Sequence, residues 1–241
     1  MLVLLAAVAL WIGLAVGSGF VVSFLAGFGA GLHNSVAPHA PRWQLGQMAL
    51  LLAGSAPLQA VLLLGAWLQG RSLGRGHAAA GLGAGAVRHK GLLAGLLLLQ
   101  LVLTLGWAGL VVRWIGAPPT MVTAQVLRSV ASGGIGPIVV LGLLFVLVAP
   151  VCEEMFFRGW LWTSLRQRWP AVPTAIVTAS PWLALHVADG GWRRVLFLVP
   201  AAVMLSVARH VCGSVRASII MHMCNNASAA ALVILSLWAG G

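Results

Sequence analysis

The chain holds three carboxylates, and two of them are neighbours: Glu153 and Glu154, in VLVAPVCEEMFFRGW. The residues before them are almost all apolar, so the pair falls inside a segment of hydrocarbon-spanning length. Burying an ionised carboxylate there costs several kcal/mol, which makes an intramembrane acid a functional candidate by default. The plain structural alternative is an ion pair. On a helix Glu154 and Arg158 are four residues apart and share a face, so that reading accounts for Glu154. It leaves Glu153 about 100° round the helix with no partner close in sequence. Glu153 is therefore the candidate general base.

Two of the seven histidines also lie in apolar stretches: His186, in SPWLALHVADG, and His222, in SIIMHMCNNAS. Either alone reads equally well as a satisfied bundle residue. Together with the acid pair they are more economically read as one polar site. Trp182 stands one turn before His186 and is expected to pack beside it as a wall, although a lone tryptophan is more often an interface anchor. His222 and Asn226 are again four apart, so both side chains face one groove, where each can donate a hydrogen bond to an oxygen gaining negative charge.

These residues must be brought together by helices. Spanning segments are expected near 3–30, 46–68, 91–112, 137–162, 172–188, 195–209 and 217–238: an all-α, polytopic bundle of about seven transmembrane helices, within a range of six to eight. Arg71–Lys90 reads as a Gly/Ala-rich basic loop, and Arg113–Gly136 as a polar connection broken by Pro118 and Pro119. With a turn at Trp169–Pro173, Glu153 lies about 17 residues before Pro170 and His186 about 16 after it. Both then sit at similar depth, roughly 25 Å from the turn at 1.5 Å per residue. His222 fits this count less well, and needs a strongly tilted or partly unwound helix to reach the same level.

Composition agrees with the membrane. Of 241 residues, 61% are apolar and only 7% charged, with mean hydropathy +1.02, too few charges for a water-facing surface. The net charge is +11, but its 14 Lys and Arg are dispersed between the apolar segments, which suits anchoring at a bilayer surface and argues against a nucleic-acid partner. Cys152, Cys212 and Cys224 lie in or beside apolar segments and behave there as small hydrophobes. The first 31 residues carry no charge and no basic n-region, and read as a retained helix in preference to a cleaved signal. The expected location is a membrane, crossed many times.

The motifs E-E-x-x-x-R at Glu153, Glu154 and Arg158, aromatic-x-x-x-H at Trp182 and His186, and H-x-x-x-N at His222 and Asn226 resemble the CPBP intramembrane proteases. That family includes the type II CAAX prenyl endopeptidases and the bacterial Abi proteins. The resemblance covers roughly residues 140 to 230, and divides the one membrane domain into N-terminal transmembrane helices (1–130) and a CPBP/Abi-like core (131–241). It implies an endopeptidase acting on a membrane-associated peptide or protein. Glu153 and His186 would activate water, His222 and Asn226 would hold the oxyanion, and Arg158 would orient Glu154. Residue 182 is Trp where the family usually has Phe, a departure expected to bear on packing more than on chemistry.

No cofactor is implied. Zinc is the weaker alternative, since H-E-x-x-H is missing and asparagine is a poor zinc ligand. Aspartyl intramembrane chemistry needs two aspartates, and Asp189 is the only one; neither Ser18 nor Ser214 stands in a G-x-S-x or G-x-S-G loop. Cys152 as a nucleophile has no histidine beside it in sequence. A proton-coupled transporter and a non-catalytic membrane immunity protein are the competing classes. The first lacks paired broken helices or repeated halves, and the intact motif set argues against the second. The substrate is open: prenylated C-terminal tetrapeptides, peptide leaders and C-terminal membrane anchors all occur in the family, and in a bacterium the last two fit better.

If the 71–90 loop is cytoplasmic, that side holds nine Lys and Arg (71, 75, 88, 90, 158, 166, 168, 209, 216) against five opposite (42, 113, 128, 193, 194), which favours a cytoplasmic N-terminus. Single-cysteine labelling within the Arg71–Lys90 loop, with the native cysteines replaced, should report the cytoplasmic side. Labelling only from outside inverts the topology.

Overall fold

A computed structural model describes residues 1–36, 47–116, 135–189 and 191–239. The Arg113–Gly136 connection, with Pro118 and Pro119, lies mostly outside them. Among the described residues there are eight helices and no strand: α1 (Leu2–Val36), α2 (Gln47–Leu73), the single turn α3 (Ala78–Gly81), α4 (Lys90–Ile115), α5 (135–166), α6 (Ala171–Leu185), α7 (Gly191–Val211) and α8 (Val215–Ala239). The seven expected segments coincide with α1, α2 and α4 to α8, and the molecule is an all-α membrane bundle. Leu2–Val36, Leu52–Leu73, Lys90–Ile115, Val139–Arg166 and Gly191–Val211 are each long and apolar enough to cross a bilayer. The basic loop is shorter than expected, because Arg71 to Leu73 prolong α2 and Ala78–Gly81 form α3.

The bundle wears its apolar residues on both sides. Phe20, Phe24 and Phe28 form a stacked ladder along α1 and are all well exposed, as are Leu98 and Val102 on α4. Such a surface is soluble only in lipid. The interior is an aromatic and aliphatic core in which Leu62, Phe156, Phe157, Trp182, Leu205 and Met221 are fully or almost fully buried.

Small residues let the first two helices close up. A Cβ added at Gly19 would run into the Gly54 carbonyl, and one at Gly65 into the Trp11 ring. Rising numbers on α2 pair with falling numbers on α1, so the two run antiparallel at close range, as small-residue stripes allow in membranes.

One end of the bundle is stitched by backbone bonds between loops. Arg88 N–H donates to Cys212 O at 3.0 Å and Val215 N–H to Gly83 O at 3.1 Å, while Ser214 Oγ donates to Gly85 O at 2.6 Å. Gly83 and Gly213 take φ of +63° and +67° at these turns, a region where a side chain is strained. The loop after α3 and the α7–α8 turn thus share a side, as the even number of crossings between them, α4 to α7, requires. Arg158 and Arg209 belong to neither surface, since both are buried in the bundle. Removing them reduces the nine cationic positions on that side to seven, still above the five opposite.

The helix carrying the acid pair is not a regular α-helix. Along α5, α-helical Ile135–Gly142 gives way to a π-helical stretch Leu143–Val148, then α-helical Ala149–Glu154, a second π stretch Met155–Leu161, and α-helical Trp162–Arg166. Pro150 helps explain the first. Ala149 N–H bonds Leu144 O, five residues back; the next donor in that series would serve Phe145 O, but Pro150 has no N–H. The depth count that placed His222 too far away assumed regular helices. The departures lie in α5, and in α6, which contains Pro181 and ends in a 3-10 turn at His186–Asp189, whereas α8 is unbroken.

Gly19→Leu should lower stability by about 1–3 kcal/mol, because the added side chain must separate α1 from α2. Thermal unfolding in detergent checks this against Gly13→Leu, which meets open space and should leave the transition unchanged.

Candidate active site

Glu153 sits on α5 and is 8% exposed. Both of its oxygens are occupied: the Trp182 indole donates to Oε2 at 2.7 Å, and the Gln59 amide donates to Oε1 at 3.0 Å. The expectation that Glu153 lacks a partner is therefore corrected. Its partners come from α6 and α2, out of reach of any helix-periodicity argument. The Trp at position 182 also does more than pack, for phenylalanine has no N–H to give a carboxylate.

Glu154 is completely buried. Arg158 Nη1 lies 3.0 Å from its Oε1, the ion pair expected from the four-residue spacing, and His222 Nδ1 reaches the same oxygen at 3.1 Å. A carboxylate can only accept, so Nδ1 carries the hydrogen in this contact. Arg158 is held further by Ala202 O on α7, at 3.5 Å from Nη2, and its guanidinium lies 5.0 Å from the Trp182 ring centroid, within cation–π range. The indole is thus shared by both acids' surroundings.

His186 begins the 3-10 turn after α6. Its Nδ1 is 2.8 Å from Trp182 O; a carbonyl accepts, so Nδ1 is the donor and Nε2 is the free nitrogen of the neutral ring. The imidazole rests against Trp182, ring centroids 4.6 Å apart, and the His222 ring meets the same indole edge-on at 5.5 Å. Trp182 is the hub on which Glu153, His186, His222 and Arg158 converge.

Asn226 lies one turn beyond His222, on the face of α8 toward α5. Its Nδ2 donates to Phe145 O at 2.9 Å, the carbonyl that Pro150 leaves without its π-helical donor. Its Oδ1 accepts from Asn225 at 3.3 Å, and Asn225 Oδ1 accepts from Gln100 on α4 at 3.1 Å. One Nδ2 hydrogen is taken by Phe145, and the other is left to donate. At the second π stretch buried Arg209 donates through Nε to Arg158 O at 2.7 Å and through Nη2 to Thr163 Oγ1 at 3.3 Å.

The structure thus gathers Glu153, Glu154, Arg158, Trp182, His186 and His222 around one indole, with Asn226 a turn away. Sequence reasoning missed Gln59, Gln100, Asn225 and Arg209. Gln59 and Gln100 are polar residues in the middle of apolar runs, and that was the available signal. Among the described residues no three His, Cys, Asp or Glu side chains come together as a metal-holding group. Glu154 is already bound by Arg158 and His222, so the donor set does not fit zinc, and no step is routed through a metal. Cys152 is buried.

Residues 135–228 match the family model described as type II CAAX prenyl endopeptidase Rce1-like. This segment of the chain is Rce1-like. No curated protein and no solved structure gave a match. The Rce1-like segment runs from α5 into α8 and contains Glu153, Glu154, Arg158, Trp182, His186, His222 and Asn226, whereas Gln59 and Gln100 lie outside it.

Trp182→Phe should keep the ring contacts yet leave Glu153 Oε2 without its donor. Stability is expected to fall by about 1–3 kcal/mol, the usual consequence of orphaning one side of a buried hydrogen bond. Thermal unfolding beside Trp182→Ala, which also loses the hub, separates the hydrogen bond from the packing.

Proposed function

We propose that the protein is an intramembrane endopeptidase in which Glu153 and His186 activate water against a peptide bond of a membrane-associated peptide or protein. The observation that carries this reading is the Glu153 carboxylate, enclosed within the bundle, oriented at both oxygens by Trp182 and Gln59, with His186 packed on the same Trp182 indole and its Nε2 available. A base held in one orientation beside a second proton acceptor is what hydrolysis needs before substrate arrives. The Rce1-like segment supports the same reaction class.

In this mechanism Glu153 takes a proton from water while the oxygen attacks the scissile carbonyl, and His186 Nε2 helps hold the water. His222 and Asn226 are the oxyanion donors, Asn226 through its second Nδ2 hydrogen. His222 already gives Nδ1–H to Glu154, so donation from Nε2 requires the imidazolium form. After proton transfer, the oxyanion takes over the charge that Glu153 loses. The net charge of the site is the same before and after attack, which limits electrostatic penalty in a poorly solvated site. Glu154 and Arg158 fix His222 and the Trp182 face. The substrate would be a leader segment or C-terminal membrane anchor, in a bacterial plasma membrane.

Glu153→Gln should fold and be inactive. The new amide can accept from Trp182 and donate to Gln59, once the Gln59 amide turns over. Glu154→Gln should instead leave Arg158 and His222 without their counter-charge, lowering stability by about 3–5 kcal/mol. Asn226→Ala should keep a trace of activity, down roughly 10²–10³-fold, as for loss of one oxyanion donor. Thermal unfolding and cleavage of a reporter peptide in proteoliposomes measure all three. Turnover by Glu153→Gln, with Glu154→Gln stable and inactive, reverses the assignment of the two acids.

A further inference from the structure

Gln59 lies outside the Rce1-like segment, on α2, two residues after Pro57 in the apolar run GSAPLQAVLLL. It is 6% exposed. A glutamine inside a membrane bundle needs partners for its amide, yet among the described residues its Nε2 bonds Glu153 Oε1 at 3.0 Å and its Oε1 is buried with no hydrogen bond. The carboxylate alone therefore fixes which way the amide faces, because the opposite orientation would set oxygen against oxygen. The same amide can serve either form of the acid: Nε2–H for the carboxylate, and Oε1, after a half-turn about the last side-chain torsion, for the O–H of a protonated Glu153.

We propose that Gln59 is a positioning residue for Glu153, holding the carboxylate ready to take the proton of water and, by turning its amide, accepting the Glu153 O–H once that proton has moved. The proposal rests on Glu153 being the base. The balance is simple: the water O–H bond breaks and its proton goes to Glu153, the water oxygen bonds the scissile carbon as the carbonyl π pair moves onto its oxygen to form the oxyanion, and Gln59 changes only which atom it presents. Gln59 acts through Glu153 and needs no contact with substrate. The N-terminal helices thereby supply part of the catalytic geometry.

The test uses full-length protein in proteoliposomes, with kcat, KM and thermal unfolding measured for each variant. Gln59→Leu removes both functions of the amide and should lower kcat about 10–100-fold with KM within roughly threefold, as misplacement of a base does. Gln59→Glu keeps the shape but opposes two carboxylates, and should lower both kcat and the unfolding temperature. The swapped double variant Gln59→Glu with Glu153→Gln restores a carboxylate–amide pair in reverse. It should recover the unfolding temperature lost in Gln59→Glu while remaining inactive.

Wild-type kcat in Gln59→Leu overturns the proposal, as does a raised KM at unchanged kcat, which would make Gln59 a substrate-binding residue. Failure of the swap to recover stability shows that the Gln59–Glu153 contact is not formed and also overturns it. Cleavage by Glu153→Gln alone shows instead that the base is misassigned, and the proposal falls with that reading although the swap still reports the contact.

Discussion

Two adjacent carboxylates held inside a membrane bundle are the constraint on which the rest of this structure depends. Neither can be left bare in hydrocarbon, and their adjacency on one helix forbids a common solution, since consecutive side chains point about 100° apart. The fold gives each its own surroundings. Glu154 is sealed between Arg158 and His222, a buried ionic cluster that has to be complete to be tolerated. Among the described residues the donors to Glu153 are neutral, Trp182 and Gln59, and they orient the carboxylate without neutralising it. Two identical side chains thus acquire different surroundings, one ionic and one neutral.

Keeping both environments in register requires α5 to depart from regular geometry on either side of the pair. At the first π turn Pro150 leaves Phe145 O without its donor, and in a membrane water does not supply one. The donors arrive from other helices. Asn226 on α8 serves Phe145 O, and Arg209 on α7 serves Arg158 O. The irregular helix is therefore pinned at the places where it is irregular, and Asn226, through Asn225, is joined to Gln100 on α4. The residue assigned to the oxyanion is also a structural one. The helix bearing the acids and the helix bearing His222 are locked together by the same side chain.

Trp182 has a comparable double duty. Its indole edge donates to Glu153, its face meets the Arg158 guanidinium, and its ring borders both imidazoles. A planar side chain with one polar atom is well suited to this, because it separates four polar groups sterically while satisfying only one of them by hydrogen bonding. Pro181 stands immediately before it, and the 3-10 turn that ends α6 begins four residues after it, at His186.

Much of this was determined by sequence alone. Apolar run length dictates helices in a bilayer, so the seven segments that became α1, α2 and α4 to α8 were legible, as was the Glu154–Arg158 pair, because an interval of four residues is a property of any helix. The hairpin between α5 and α6, which brings His186 toward Glu153, followed from counting residues to a turn. Tertiary structure decided what no interval encodes: that Gln59, 94 residues away, would complete the surroundings of Glu153; that His222 would bind Glu154; and that Pro150 would widen α5 and draw in Asn226. Periodicity describes a helix by itself, whereas the partner of a buried polar atom is chosen by how helices pack, and that choice depends on every side chain between them.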